Sequence, residues 1–140
     1  MKASNWYKGD TDMSTKVETK NAPAAIGAYS QAVVVGNLIF TSGQIPLNPE
    51  TGVLDGNNIT EQTHRVCKNL GAVLNAAGGS LQSAVKTVCF LANMADFAAF
   101  NEVYAQYFTE KPARCCVAVK ELPRGALIEV EVVAEKEQVL

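Results

Sequence analysis

The stretch Ala126-Leu-Ile-Glu-Val-Glu-Val-Val133 decides how this chain is layered. In a strand, alternate residues share a face, so Ala126, Ile128, Val130 and Val132 form one wholly apolar side. The other side carries Leu127, Glu129, Glu131 and Val133, two carboxylates among large apolar groups. The first set calls for a helical layer above it. The second is too charged for a core and too apolar for open water, so it is expected to pack against another subunit.

Working outward, Arg114 to Val119 reads as a strand, and Pro112 ends the element before it. That element is a helix opened by Asp96, with Phe97, Phe100, Val103, Tyr104, Tyr107 and Phe108 along one side. The aromatic set reads as core, not as a stacking platform. Ala84 to Asn93 is β-branched and apolar, a buried strand. Before it, Val66, Leu70, Val73, Leu74 and Ala77 recur at helical spacing from about Thr60. Asn58 with Glu61 marks that helix's start, and Gly78-Gly79 its end. Gln31 to Val35 and Leu38 to Ser42 flank Gly36-Asn37, a two-residue hairpin signal.

The predicted order is β-β-α-β-α-β-β: an α+β unit with one sheet and both helices on one of its faces. Residues 1–16 read as a flexible extension, with Met13 an alternative start, and residues 17–140 as a single domain.

Composition removes several classes of function. Twelve basic residues against fourteen acids give a net charge of −2, which argues against a dedicated nucleic-acid binder. His64 is the one histidine, so a multi-histidine metal site within one chain is ruled out. On its helix His64 sits among Thr63, Arg65 and Lys68 and reads as a solvated surface group. Cys67, Cys89, Cys115 and Cys116 show no zinc spacing and read as buried free thiols of a reducing compartment. The first twenty residues hold three acids, no arginine and no apolar core, which fits neither a secretory signal nor a transit peptide. A cytoplasmic location is expected, and a mitochondrial one has little support.

Arg114 shares its strand face with Cys116 and Ala118. If this strand forms a hairpin with Leu127 to Ala134 through a Lys120 to Gly125 loop, Cys116 lies opposite Glu129. Arg114, Cys116, Glu129 and Glu131 then share the face expected to meet a neighbour. There Arg114 can bind a carboxylate through two parallel N–H···O bonds, and a glutamate can hold a water or move a proton. Spacing alone favours the plainer reading, a structural ion pair across a subunit boundary. Lys120 and Arg124 in the loop read as solvated charge.

Four separated motifs resemble the RidA/YjgF family. They are Asn21-Ala-Pro-Ala-Ala-Ile-Gly-Ala-Tyr29-Ser-Gln, Thr41-Ser-Gly-Gln-Ile-Pro46, Pro112-Ala-Arg-Cys-Cys-Val117 and Leu122-Pro-Arg-Gly-Ala-Leu-Ile-Glu129-Val-Glu. The likeness runs in order from Val17 to Lys136. It implies a chorismate-mutase-like subunit and a homotrimer with its sites between subunits. The implied activity is hydrolysis of reactive 2-imino and 2-enamino acids (2-aminoacrylate, 2-iminopropanoate, 2-iminobutanoate) to 2-keto acids and ammonia.

By the same resemblance, Arg114 fixes the substrate carboxylate, Tyr29 lines the site and Glu129 positions the attacking water. Cys116 contributes a backbone N–H, Ser42 and Gly43 form the pocket wall, and Asn101 stands beside it. Ala28 departs from a usual proline, Cys115 from a usual serine or alanine, and Val130 from a usual isoleucine or methionine. No metal or organic cofactor is implied, because a protonated imine carbon is already electrophilic. A non-catalytic module binding small carboxylates is the rival reading, and an endoribonuclease-type translation inhibitor a weaker one.

Overall fold

Local chemistry sets both ends of the long helix α1 (Ile59–Ala76). Asn58 caps it by accepting the Glu61 N–H at 2.9 Å, and Glu61 reaches back to the Asn57 N–H at 2.7 Å. At the other end Gly78, at φ 92°, turns the chain out of the helix. The N–H of Gly79 returns to the Leu74 carbonyl at 2.8 Å, and that of Gly78 to Asn75 at 3.2 Å. These are the paired bonds of a Schellman motif.

The computed structural model describes residues 14–137. Its six strands are β1 (Ser14–Val17), β2 (Ala32–Val35), β3 (Leu38–Thr41), β4 (Ala84–Leu91), β5 (Ala113–Ala118) and β6 (Ile128–Glu135). The second helix, α2, spans Phe97–Tyr107. The sheet order is β1-β2-β3-β6-β4-β5, antiparallel except for the β4–β5 pair. The expected hairpin is present, with Val35 opposite Leu38 across Gly36-Asn37. Strand β1, which pairs with β2, was not anticipated; it overlaps the end of the expected extension. Residues 1–13 lie outside the described residues.

The core forms where the alternation of β6 predicts it. Ala126, Ile128, Val130, Val132 and Ala134 are buried beneath the helices, together with Cys89, Leu91, Val66, Leu70 and Phe100. The reverse face carries Phe40, Val88, Phe90, Val117 and Val133 beside Lys86 and Glu131, with Phe40 and Val117 more than two-fifths exposed.

One expectation is corrected. Strands β5 and β6 do not form a hairpin; β4 lies between them and pairs with both. The β4–α2–β5 segment is a parallel crossover, which needs a helix-length connection and sets β5 on the edge. The chain then crosses the end of β4 and inserts β6 in the middle of the sheet. An uninterrupted apolar face suits that position. Register then separates the charged groups. Arg114 is level with Thr87 and Cys116 with Cys89, both on the helix side, while Glu129 is level with Phe90 and Glu131 with Val88 on the reverse side. The four residues expected on one face therefore divide two and two.

Candidate functional site

The Arg114 half of the site is built on α2. Phe97, Asn101, Tyr104 and Phe108 recur at helical spacing along the side of α2 nearest the β5 edge. The Tyr104 hydroxyl and the Thr87 hydroxyl hydrogen-bond at 2.8 Å, which fixes the ring against β4. The Arg114 guanidinium lies over that ring, 4.8 Å from its centroid, and 5.4 Å from that of Phe97. Its Nη1 donates to Asn101 Oδ1 at 2.7 Å.

No carboxylate pairs with Arg114 among the described residues, where the one ion pair is Arg65–Asp55. A cation held at several points without a counter-ion can receive an anion through charge-assisted hydrogen bonds. It opens on a cleft of about 370 Å³ that Asn101, Tyr104, Phe108, Lys111 and Pro112 also line. Cys116 lies half-buried on the same strand face; burial pushes its thiol pKa up, against the pull of Arg114.

The Glu129 half sits on the reverse face, where β3 leaves β6. Phe40 pairs with Val133 and Gln44 with Val130, so four steps on one side span three on the other. The extra residue makes a bulge. Thr41 Oγ1 accepts the Val132 N–H at 2.9 Å, filling the gap in the ladder. The bulge lays Gly43 against the Glu129 carboxylate so closely that a Cβ there would fall 2.9 Å from Glu129 Cδ. Ser42 donates its hydroxyl to the Ser30 carbonyl at 2.6 Å, so it shapes the wall through the backbone.

Tyr29, Ser42, Gly43 and Glu129 line one cleft of about 520 Å³, with Ile26, Leu47 and Arg124 around it. Burial raises the Glu129 carboxyl above the usual carboxylate range, and the charge of Glu131 adds to this. A carboxyl at such a wall can accept a hydrogen bond from a water and, when protonated, return a proton.

The site residues read from sequence thus gather in two groups: Arg114, Asn101 and Cys116 on the helix side, Tyr29, Ser42, Gly43 and Glu129 on the other. Sequence reasoning missed four contributors. Gln31, buried, accepts the Thr19 N–H at 2.7 Å and donates to the Thr19 and Pro23 carbonyls at 3.0 and 2.7 Å, pinning the segment that carries the cleft wall. Tyr104 and Phe97 are both packing groups and the seat of Arg114. Arg124 lines the Glu129 cleft and donates from Nη1 to the Gly52 carbonyl at 2.7 Å. A glutamine in an apolar strand was the one available signal.

Two further readings are corrected. Cys115 is exposed and Cys116 half-buried, so only Cys67 and Cys89 are buried thiols. His64 is half-buried, its Nδ1 2.8 Å from the Tyr107 hydroxyl.

Residues 19–136 match the family profile described as Endoribonuclease L-PSP. The chain is 49% identical over 126 residues to a RutC family protein of Pyrococcus horikoshii, covering 89% of this chain and 100% of that protein. It is 47% identical over 119 residues to Reactive Intermediate Deaminase A, chloroplastic, of Arabidopsis thaliana, covering 84% of this chain and 64% of that one. Among solved structures, a conserved Rid family protein of Yersinia pestis superposes with a TM-score of 0.85 at 48% identity, covering 87% of this chain and 98% of that chain.

Proposed function

The chain belongs to the endoribonuclease L-PSP family, also called YjgF/RidA, and from that premise we propose that it is a deaminase hydrolysing reactive 2-imino acids. The reaction adds water across the protonated C=N bond: R–C(=NH2+)–COO− and H2O give R–C(=O)–COO− and NH4+. The single observation that carries this reading is Arg114, a cation without an ion-pair partner among the described residues, held over aromatic faces and oriented by Asn101. It suits the α-carboxylate of a small substrate. Glu129, held against Gly43, then directs a water at C2 and passes a proton to the departing nitrogen. Tyr29, Ser42 and Gly43 wall the reaction side, and the Cys116 backbone supports the carboxylate.

Arg114 and Glu129 are on opposite sheet faces within one chain, so the working site takes them from two copies. The exposed apolar groups of the reverse face, Phe40 and Val117 among them, suit the packing of copies into a homotrimer. His64 bonds Tyr107 and lines neither cleft, so it brings no imidazole to a ribonuclease-type cleavage there.

The test generates 2-iminobutanoate or 2-iminopropanoate in situ and follows keto acid release above the spontaneous rate. Wild-type protein should accelerate release, while Arg114→Ala and Glu129→Gln should each abolish the acceleration. Unfolding the two inactive variants and refolding them together should restore activity. In a cyclic trimer assembled at random from equal amounts, about one site in four pairs an intact arginine with an intact glutamate. No restored activity would refute the two-copy site. Full activity of Arg114→Ala would refute the mechanism, and binding of the substrate without turnover would make the protein a carboxylate-binding module.

A further inference from the structure

Among the described residues, two other than glycine hold a left-handed backbone, Lys111 at φ 53° and Arg124 at φ 57°. Both are cations, and each lines one half of the site: Lys111 beside Arg114, Arg124 beside Glu129. Such a conformation is costly for a residue with a Cβ, and it persists where the surrounding fold imposes it. Around Arg124 the imposition is visible. Pro123 opens the tight turn Pro123–Gly125, Gly125 follows at φ 69°, and buried Ala126 closes it by donating to the Pro123 carbonyl at 3.1 Å. The bond from Nη1 to the Gly52 carbonyl then holds the guanidinium at the cleft wall. No carboxylate partners it among the described residues.

On the two-copy reading above, the joined site brings the cleft of Arg114 and Lys111 to that of Glu129 and Arg124, so that it holds three cations. A substrate with a single carboxylate, bound by Arg114, leaves the site with excess positive charge. The wall that Arg124 shares with Glu129 includes Ile45, Leu47 and Pro123, an apolar stretch suited to methylene groups. We propose that the site selects 2-imino acids bearing a second carboxylate at the end of the side chain, and that Arg124 binds it. This rests on the deaminase reading above and adds the substrate class and the residue that sets it. Arg124 is thus a specificity-determining residue at the far end of the substrate from Arg114.

The experiment compares 2-iminoglutarate with 2-iminobutanoate, each formed in situ by an amino acid oxidase acting on glutamate or 2-aminobutanoate. The readout is the ratio of their kcat/KM values. The ratio should exceed one for the wild-type protein. It should fall about tenfold in Arg124→Gln, the low end of what a charge-assisted hydrogen bond contributes. If Arg124 merely staples the Gly52 loop, its loss slows both substrates and leaves the ratio unchanged. An unchanged ratio, or a wild-type ratio at or below one, overturns the proposal while the deaminase reading stands. A wild-type protein that accelerates neither substrate overturns the deaminase reading itself.

Discussion

Substituting Gly43 by alanine separates the placement of Glu129 from the integrity of the fold. The added Cβ would lie 2.9 Å from Glu129 Cδ, 3.0 Å from Oε2 and 3.1 Å from Cγ. Carbon atoms in contact sit about 3.5–4.0 Å apart, so the carboxyl group must withdraw by about 0.6–1 Å. All three atoms belong to a side chain that can swing away, and Gly43 has no left-handed φ for alanine to resist. The unfolded chain of the variant is less flexible, which stabilises the fold by about 0.4–1 kcal/mol and offsets the crowding. The melting temperature is therefore expected within about 5 °C of wild type.

Catalysis should respond differently. A reacting group displaced by about 1 Å costs up to about a hundredfold in rate, so kcat for imine hydrolysis should drop by about 10- to 100-fold. The loss should fall on kcat, not KM, because the substitution leaves untouched Arg114, to which the proposed mechanism gives the carboxylate. Thermal melting and steady-state kinetics on one preparation decide the matter. A stable Gly43→Ala variant with wild-type kcat would refute the claim that Glu129 acts from the position Gly43 leaves open. A collapse in stability would show instead that the bulge backbone cannot accept a side chain.

Two other outcomes follow from the same geometry. The Glu129 carboxyl is raised first by burial and then by Glu131, so the acid limb of the kcat profile should move to lower pH in Glu131→Gln. Glu129 favours its proton more in the folded than in the unfolded state, so its contribution to stability falls as pH rises between the unfolded and folded pKa values. A profile unmoved by Glu131→Gln would mean that another group sets the limb. Gln31→Ala removes hydrogen bonds to Thr19 and Pro23 and leaves a buried gap, at a cost of about 2–4 kcal/mol. Its melting temperature should fall by about 10 °C, and KM should rise as the cleft wall loosens; a melting curve superimposable on wild type would exclude that bracing role.

Much of the fold was legible because local and long-range demands agree. Asn58 with Glu61 opens α1 and Gly78-Gly79 closes it, as capping chemistry requires. The even positions of β6 are buried and its odd positions lie on the reverse face. What alternation cannot report is which strand lies beside which. Arg114 and Glu129 fall near each other in sequence order, and a direct hairpin would have joined them. The crossover through α2 makes β5 parallel to β4, and that one pairing moves Arg114 to the opposite face.

The site therefore looked simpler in sequence than it is in space. The motif likeness named Arg114, Glu129, Tyr29, Ser42, Gly43, Asn101 and Cys116, and the structure gathers these into two clusters on opposite sides of the sheet. The likeness did not tell that one chain holds them on opposite faces of its sheet. Gln31 and Tyr104 escaped notice for a different reason: each acts through buried hydrogen bonds that no spacing records. Arg124 is the most instructive omission. In sequence it is one charge in a turn, and nothing marks it as more than solvated. Its left-handed backbone, its bond to Gly52 and its place on the Glu129 cleft become visible only together. A strained residue at a cleft wall costs stability, so it asks for a functional reason. Recognition of a second negative group on the substrate supplies one, and the selectivity ratio of Arg124→Gln measures it.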